Sequence, residues 1–163
     1  MELTDFMPVD KWVELQEEVH ARFHLNADVM DKEGKRVSDN SWGNDLCRDI
    51  RSDAKGFSTI CAPAGQMCKH LLLKSCEPFA EKCDAGMMRI CVPVIKDGEL
   101  LGAVGGCGVV PAEGEVDWST IDMMSDLDAD SIKQMAGKVA VASDARVREI
   151  QTFIQERVAS VLG

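Results

Sequence analysis

Residues 81–110 read EKCDAGMMRICVPVIKDGELLGAVGGCGVV, with an apolar run on each side of Asp97-Gly98. Asp-Gly between two such runs favours a type I′ turn, because both central residues of that turn need a positive φ. Both runs are almost continuous in apolar residues, which is typical of strands covered on both faces. The sequence therefore predicts a hairpin at the centre of a sheet, entered through a tight turn at residues 83–86.

The second strand of this hairpin carries four glycines, which in a strand often mark a bulge or the close approach of a ligand. An unbroken register from the two-residue turn places Cys107 opposite Met88 and Cys91 opposite Val104. Since side chains alternate between the faces of a sheet, this register predicts that Cys91 and Cys107 point to opposite sides. A bulge at residues 105–106 would be needed to bring the two together.

Composition limits the class of protein. The 163 residues, 45% hydrophobic and 28% charged, fit one globular domain over residues 1–163, without the roughly 18 consecutive apolar residues of a membrane span. The start has neither a basic nor an apolar signal region, so we expect a cytoplasmic protein. A net charge of −10, from 28 acidic and 18 basic residues, argues against direct binding to nucleic acid.

The rest of the chain alternates between helical and extended patterns. An amphipathic helix is predicted at residues 9–24, a short hairpin at 25–37, helices at 45–52 and 63–75, an extended segment at 77–82, and short helices at 117–126 and 128–138. Asn44 or Asp45 can cap the second helix, and Ser143 can cap a long final helix over residues 143–162. This order predicts an α+β fold with a central antiparallel β-sheet flanked by helices, as in PAS and GAF sensor domains.

The final helix carries an apolar stripe of Val147, Ile150, Ile154, Val158 and Val161. Such a stripe on a terminal helix normally faces the core. The same helix can also form the seam of a homodimer or act as a signalling helix.

Seven cysteines are a high count for a chain in a reducing compartment, where thiols are more often buried, metal-bound or redox-active than disulfide-bonded. No two of them are spaced as C-x-x-C, so neither a zinc ribbon nor a thioredoxin motif is present. A metal site would need thiolates from separate segments. Cys61 precedes the helix predicted at 63–75, where the helix dipole would stabilise its thiolate. The alternative is that each cysteine fills a small gap in the core.

Other candidate chemistry is sparse. His20 and His24 have the i, i+4 spacing of metal-binding helices but lack the intervening Glu of H-E-x-x-H, so we expect a surface role. No nucleophile elbow, phosphate-binding loop or dinucleotide fingerprint is present, which favours a small-molecule binder over an enzyme. The residues predicted to line an organic-ligand site are Trp42, Met87, Met88 and Arg89, since Met and Trp offer adaptable apolar contact and Arg meets a carboxylate or hydroxyl.

Five short motifs follow one another along the chain: residues 46–52 (LCRDIRS), 56–61 (GFSTIC), 83–87 (CDAGM), 92–98 (VPVIKDG) and 101–107 (LGAVGGC). Together they resemble the PocR sensory domain family. The resemblance implies a PAS-like, non-enzymatic sensor of small organic compounds such as short diols, usually fused to a DNA-binding domain or a histidine kinase. The chain ends at Gly163, so a stand-alone sensor or a piece of a longer regulator is expected, signalling through a regulatory protein partner or a missing output domain.

The resemblance also sorts the cysteines. Cys47, Cys61 and Cys83 fall on family motifs, and Cys107 replaces the Gln of the family's Gly-Gly-Gln, whereas the other three lie off the motifs. One hypothesis is that these four thiols converge as a zinc or iron–sulfur site whose occupancy or redox state is read. The other is that they line an organic-ligand pocket. The alternative function is accordingly a cysteine-ligated metal or redox protein, with an enzyme in third place.

Overall fold

A computed structural model describes all of residues 1–163. Its elements are α1 (Val9–Phe23), β1 (Asn26–Asp31), α2 (Asp45–Ser52), α3 (Ala54–Gly56), α4 (Ala62–Ser75), β2 (Phe79–Lys82), β3 (Met88–Lys96), β4 (Glu99–Pro111), α5 (Trp118–Met124), α6 (Ala129–Ala136), β5 (Val141–Ala142) and α7 (Asp144–Leu162). A 3₁₀ turn, Leu3–Asp5, precedes α1, and a π-helical turn, Phe57–Cys61, joins α3 to α4. None of the helices has the length and apolar character needed to cross a bilayer.

The central sheet has the strand order β1-β4-β3-β2, and its neighbouring strands are antiparallel. The two-residue strand β5 adds in parallel to the end of β4. The hairpin of β3 and β4 therefore lies at the centre, as predicted, and its turn has positive φ at both Asp97 (51°) and Gly98 (80°). The predicted α+β fold with a central antiparallel sheet, flanking helices and a long final helix is confirmed.

The predicted register of the central hairpin is wrong beyond its first two pairs. Ile95 still faces Leu100, but Val94 faces Gly102, so Leu101 has no partner on β3 and forms a bulge. The extra residue moves residues 102–107 by one position, so that Cys107 pairs with Arg89 instead of Met88. Gly108 forms a second bulge, after which Val109 faces Met88. Cys91 consequently lies on the same face of the sheet as Cys107, because it is two residues from Arg89 on β3.

The two faces of the sheet carry different layers. Helices α1 and α7 cover one face, and their buried side chains pack with Ile90, Val92 and Val104 in the largest apolar cluster. The stripe of α7 is buried there from Val147 to Val158, so it faces the core. Segments α2 to α4 cover the other face, where the apolar contacts are fewer.

The helix caps follow local sequence rules. The side chain of Asn44 accepts a hydrogen bond from the Cys47 N–H at the start of α2, and Ser143 accepts one from the Arg146 N–H at the start of α7. Each satisfies an N–H that would otherwise lack a partner in the first helical turn. Both caps were among those predicted from sequence.

Cys61 does not precede a helix N-terminus, contrary to the prediction. Segments α3, the π-helical turn and α4 form one continuous helical run, and its cap is Asp53, whose carboxylate accepts a hydrogen bond from the Gly56 N–H. Cys61 is therefore in mid-helix, where the amides ahead of it are already bonded. The π-helical turn holds one extra residue, a feature frequent at functional sites.

Candidate functional site

A cavity of about 270 Å³ lies between the sheet and the helical cover formed by α2 and the run from α3 to α4. Its floor comes from β1, β3 and β4, through residues such as Met30, Arg89 and Cys107. Its cover comes from side chains such as Ile50 on α2 and Ile60 in the π-helical turn. More than half of the lining residues, 14 of 24, are hydrophobic, so the cavity has the composition of a small-molecule site.

Most of the predicted site residues lie around this cavity. Trp42, Met87 and Arg89 line it, and so do all four motif cysteines, which are Cys47, Cys61, Cys83 and Cys107. Met88 does not line it. Its side chain packs in the apolar cluster beneath α1 and α7, because Met88 and Arg89 are consecutive on β3 and point to opposite faces.

The four motif cysteines are partly buried, and three of them, Cys47, Cys61 and Cys83, carry neutral thiols in this arrangement. Burial raises the pKa of Cys47 well above its usual value, and the neighbouring Cys107 and Cys83 raise it further. Burial likewise raises the pKa of Cys61 to about 11 and also raises the pKa of Cys83. Such thiols are poor nucleophiles and poor metal ligands until they lose a proton.

The donor set does not have the spacing of a metal site. No three side chains of His, Cys, Asp or Glu anywhere in the chain come close enough together to hold one ion. The Cys47 sulfur instead contacts the Met87 sulfur at 3.5 Å, and Cys107 accepts a long contact of 3.8 Å from Asn26. Zinc needs four ligand atoms at about 2.0–2.3 Å from one point, so the residues as arranged do not fit zinc or a cluster.

The histidines predicted to lie at the surface do not approach these thiols. His20 bonds through Nδ1 to the Leu25 carbonyl at 3.0 Å, and His24 ends α1 in a left-handed conformation with φ of 58°. The i, i+4 pair therefore serves the end of α1.

A buried ion pair stands at the floor of the cavity. Arg89 donates from Nη2 to Asp28 Oδ1 at 2.7 Å and from Nη1 to Oδ2 at 2.9 Å, while Arg36 reaches the same carboxylate at 3.2 Å. Burial alone would raise the pKa of Asp28, but Arg89 and then Arg36 hold it below its usual value. Burial would lower the pKa of Arg89, yet Asp28 keeps it well above its usual range. Asp28 and Arg89 are therefore both charged at neutral pH.

One donor of this pair has no acceptor. The Nε atom of Arg89 is buried and makes no hydrogen bond to the protein. Arg89 itself is 92% buried, since its exposed fraction is 8%, and it lines the cavity. The Nε atom is inaccessible even with the cavity empty, so its missing hydrogen bond is a cost to folding and not a donor presented to the cavity.

Two further cysteines meet beside this ion pair. Cys68 on α4 and Cys91 on β3 are buried, and their sulfur atoms are 3.8 Å apart. Cys68 lines the cavity, although it lies on none of the family motifs. The sequence does not indicate that Cys91 meets Cys68, because residues 23 apart on a helix and a strand have no local signal.

Sequence reasoning also missed Asp28 as the partner of Arg89. A signal for it exists, because each charge stands alone inside an apolar strand segment, LNADVM or MMRICV. Charged residues in buried strands are rare unless they are paired.

Comparison with known protein families gives a match over most of the chain. The family model described as the sensory domain found in PocR matches residues 5–162, which is nearly the whole chain. No protein of curated function and no solved structure matches the chain significantly.

Proposed function

The chain belongs to the PocR sensory domain family, and on that premise we propose that it senses a small organic molecule bound in the cavity between the sheet and α2 to α4. The ligand contacts Arg89, Trp42 and Met87, and the four motif cysteines form part of the wall around it. The protein is a binding module without catalytic activity.

One observation carries this proposal: a mostly apolar cavity has a few charged side chains, among them Arg89, on its wall. Pockets of this composition are typical of small-molecule sites, where the apolar wall gives affinity and the few charged groups fix orientation. The surrounding Met87 and Trp42 supply the apolar contact that drives burial of an organic molecule.

The size of the cavity limits the ligand. At about 270 Å³ it is below the roughly 300–1,000 Å³ of pockets that hold drug-sized compounds. The ligand therefore has only a few carbon atoms, in line with the short organic compounds expected for the family.

The sheet offers a route from the ligand to an output. Arg89 faces the cavity, whereas its neighbours Met88 and Ile90 pack on the face covered by α7. A ligand that shifts β3 therefore alters the packing of α7, which then acts as the signalling helix toward a regulatory partner. We place this sensor in the cytoplasm, where its seven free cysteines stay reduced.

Thermal-shift screening against short diols, alcohols, aldehydes and carboxylic acids tests the proposal. At least one compound is expected to raise Tm, because a ligand stabilises the native state by RT ln(1 + [L]/Kd). Ala64→Phe introduces a ring at a lining position of α4 and should abolish that shift. Met67→Phe is the matched control, since Met67 is an exposed residue of the same helix outside the cavity.

Two results would contradict the proposal. The first is that no compound shifts Tm, and the second is that Ala64→Phe leaves the shifts unchanged. Elemental analysis and the visible spectrum of anaerobically purified protein address the metal alternative. A stoichiometric metal lost in the Cys47, Cys61, Cys83 and Cys107 variants would favour that alternative.

A further inference from the structure

We propose that the cavity is selective for a small organic carboxylate and that Arg51 is the residue that binds its negative charge. This inference rests on the proposed function of the cavity as the ligand site. It adds the chemical class of the ligand and a binding residue that lies outside the predicted set.

The charge of the cavity wall differs from that of the whole chain. The chain has 28 acidic and 18 basic residues, yet four of the five charged side chains on the wall are basic. The basic ones are Arg36, Arg51, Lys69 and Arg89, and the acidic one is Glu33. A cationic wall in an anionic protein favours a negatively charged ligand over a neutral or positive one.

The carboxylate of Asp28 does not neutralise the positive charge of the cavity wall. Arg36 and Arg89 share the single carboxylate of Asp28, at 3.2 Å and 2.7 Å, so the three groups together retain one positive charge. The two terminal nitrogens of Arg89 are already occupied by Asp28, and its Nε atom is buried. Arg89 therefore has no pair of free N–H donors, whereas recognition of a carboxylate through a guanidinium fork takes two.

Arg51, in contrast to Arg89, is not paired with a carboxylate. Its guanidinium makes no ion pair and no hydrogen bond within the chain, although it is only partly exposed. Its Cζ lies 5.1 Å from the centre of the Phe57 ring, and both side chains line the cavity. Stacking on an aromatic ring holds a guanidinium in place while its N–H donors stay free.

The electrostatics at Arg51 point the same way. Burial lowers the pKa of Arg51, and the positive charge of Arg36 lowers it further. The negative charge of Asp28 acts in the opposite direction but is already paired with Arg36 and Arg89. A bound anion relieves this repulsion, and a neutral ligand does not.

The geometry of the two sides of the cavity then defines the ligand. Arg51, at the end of α2, meets the carboxylate, and the apolar wall around Met87 and Ile60 contacts its hydrocarbon part. Arginine suits this role better than lysine because its planar fork matches both carboxylate oxygens.

Isothermal titration of the full chain with matched pairs of probes tests the inference. The pairs are propionate and propionamide, butyrate and butyramide, and benzoate and benzamide, which are similar in shape and differ in charge. We expect at least one carboxylate to bind about 10- to 100-fold more tightly than its amide, the range for a charge-assisted hydrogen bond. Its affinity should fall as ionic strength rises, while that of the amide should not.

Arg51→Gln removes the charge and should bring the carboxylate to the affinity of its amide. Arg48→Gln is the matched control, because Arg48 lies on the same helix, pairs with the exposed Asp45 at 2.8 Å and does not line the cavity. Melting temperatures of both variants without ligand show whether each is folded.

The outcomes separate this inference from the proposed function. One outcome is that diols, alcohols or amides bind, that Ala64→Phe abolishes their binding, and that carboxylates bind no more tightly. In that case the proposed ligand class is wrong and the proposed sensor function stands. If carboxylates bind equally well to Arg51→Gln, or if inorganic phosphate binds more tightly than any carboxylate, the role of Arg51 is overturned. If no probe of either charge binds, both proposals fail.

Discussion

The sulfur atoms of Cys68 and Cys91 lie 3.8 Å apart, where α4 packs on β3. The hydrogen bond from Cys91 lowers the pKa of Cys68 to about 6, and the Arg89 guanidinium acts in the same direction against the effect of burial. The same hydrogen bond, together with burial, raises the pKa of Cys91 well above its usual value. Of the two thiols, Cys68 is therefore the one that loses its proton first.

Cys68 is therefore expected to be the most reactive thiol of the cavity. A thiol whose pKa is lowered below its usual value carries more thiolate at pH 7 than an unperturbed thiol, and the thiolate is the nucleophile. Treatment with iodoacetamide at pH 7, followed by peptide mass spectrometry, should label Cys68 before the other cavity cysteines. The experiment is done on the Cys76→Ser variant, because the exposed Cys76 would otherwise also be labelled.

Cys91→Ala provides the control for this reactivity. Loss of the Cys91 hydrogen bond should raise the pKa of Cys68 and slow its alkylation at pH 7, with a smaller difference at pH 9. Labelling of Cys61 or Cys83 ahead of Cys68 would contradict the assignment.

The neutral thiols predict a loss of stability at alkaline pH. The pKa of Cys61 is about 11 in the folded chain, above the value of 9.0 for a free thiol, so the unfolded chain loses this proton first. The stabilisation is complete below about pH 9 and is lost as pH rises to about 11, at up to about 1.4 kcal/mol per pH unit. Urea denaturation between pH 8 and pH 11 measures it, and Cys61→Ala should flatten the curve. An unchanged slope in Cys61→Ala would exclude this cause.

Breaking the buried ion pair should be costly. Asp28→Asn leaves the Arg89 guanidinium in a buried site without its counter-charge, so the free energy of unfolding should fall by about 3–5 kcal/mol. Asp45→Asn breaks the exposed pair with Arg48 and should cost less than about 1 kcal/mol. The double change Asp28→Leu with Arg89→Met should recover stability relative to Asp28→Asn. Equal losses in Asp28→Asn and Asp45→Asn would show that the pair is not buried as described.

Gly108 is expected to tolerate no side chain. Its φ is +87°, and a Cβ there would lie 2.1 Å from Asn26 Nδ2 and 2.6 Å from Asn44 Nδ2. Gly108→Ala should therefore lower the free energy of unfolding by about 1–3 kcal/mol or more. Gly65→Ala is the control, because a Cβ at this helical position meets nothing within 4 Å and should stabilise α4 by about 0.4–1 kcal/mol. A neutral Gly108→Ala would mean that the bulge at this position can relax.

The features predicted correctly from sequence are those that local rules determine. The turn at Asp97-Gly98, the caps at Asn44 and Ser143 and the buried stripe of α7 each depend on neighbouring residues alone. The register of β4 could not be predicted, because the bulge at Leu101 carries no turn signal and follows from packing against β1 and β3. A pairing rule that begins at the turn fails at the first extra residue.

The cavity was predictable only in part. Apolar and thiol residues at family motifs indicated Met87 and the four cysteines, and Arg89 stood out as a charge in an apolar strand. Arg51 was not considered, because a basic residue at the end of a short polar helix is usually exposed. Arg51 becomes a candidate binding residue only through its neighbours in the folded chain, Phe57 and Arg36.

Because of the bulge at Leu101, the number of residues in β4 determines which side chains face the cavity, as much as their identity does. Deleting one residue there would restore the unbroken register and turn Cys107 toward α1 and α7. Val104 would turn at the same time toward the cavity, so a single deletion would exchange the ligand wall and the helix-packing surface. Homologous chains should therefore differ by substitution along this strand, and insertions or deletions should be confined to its ends.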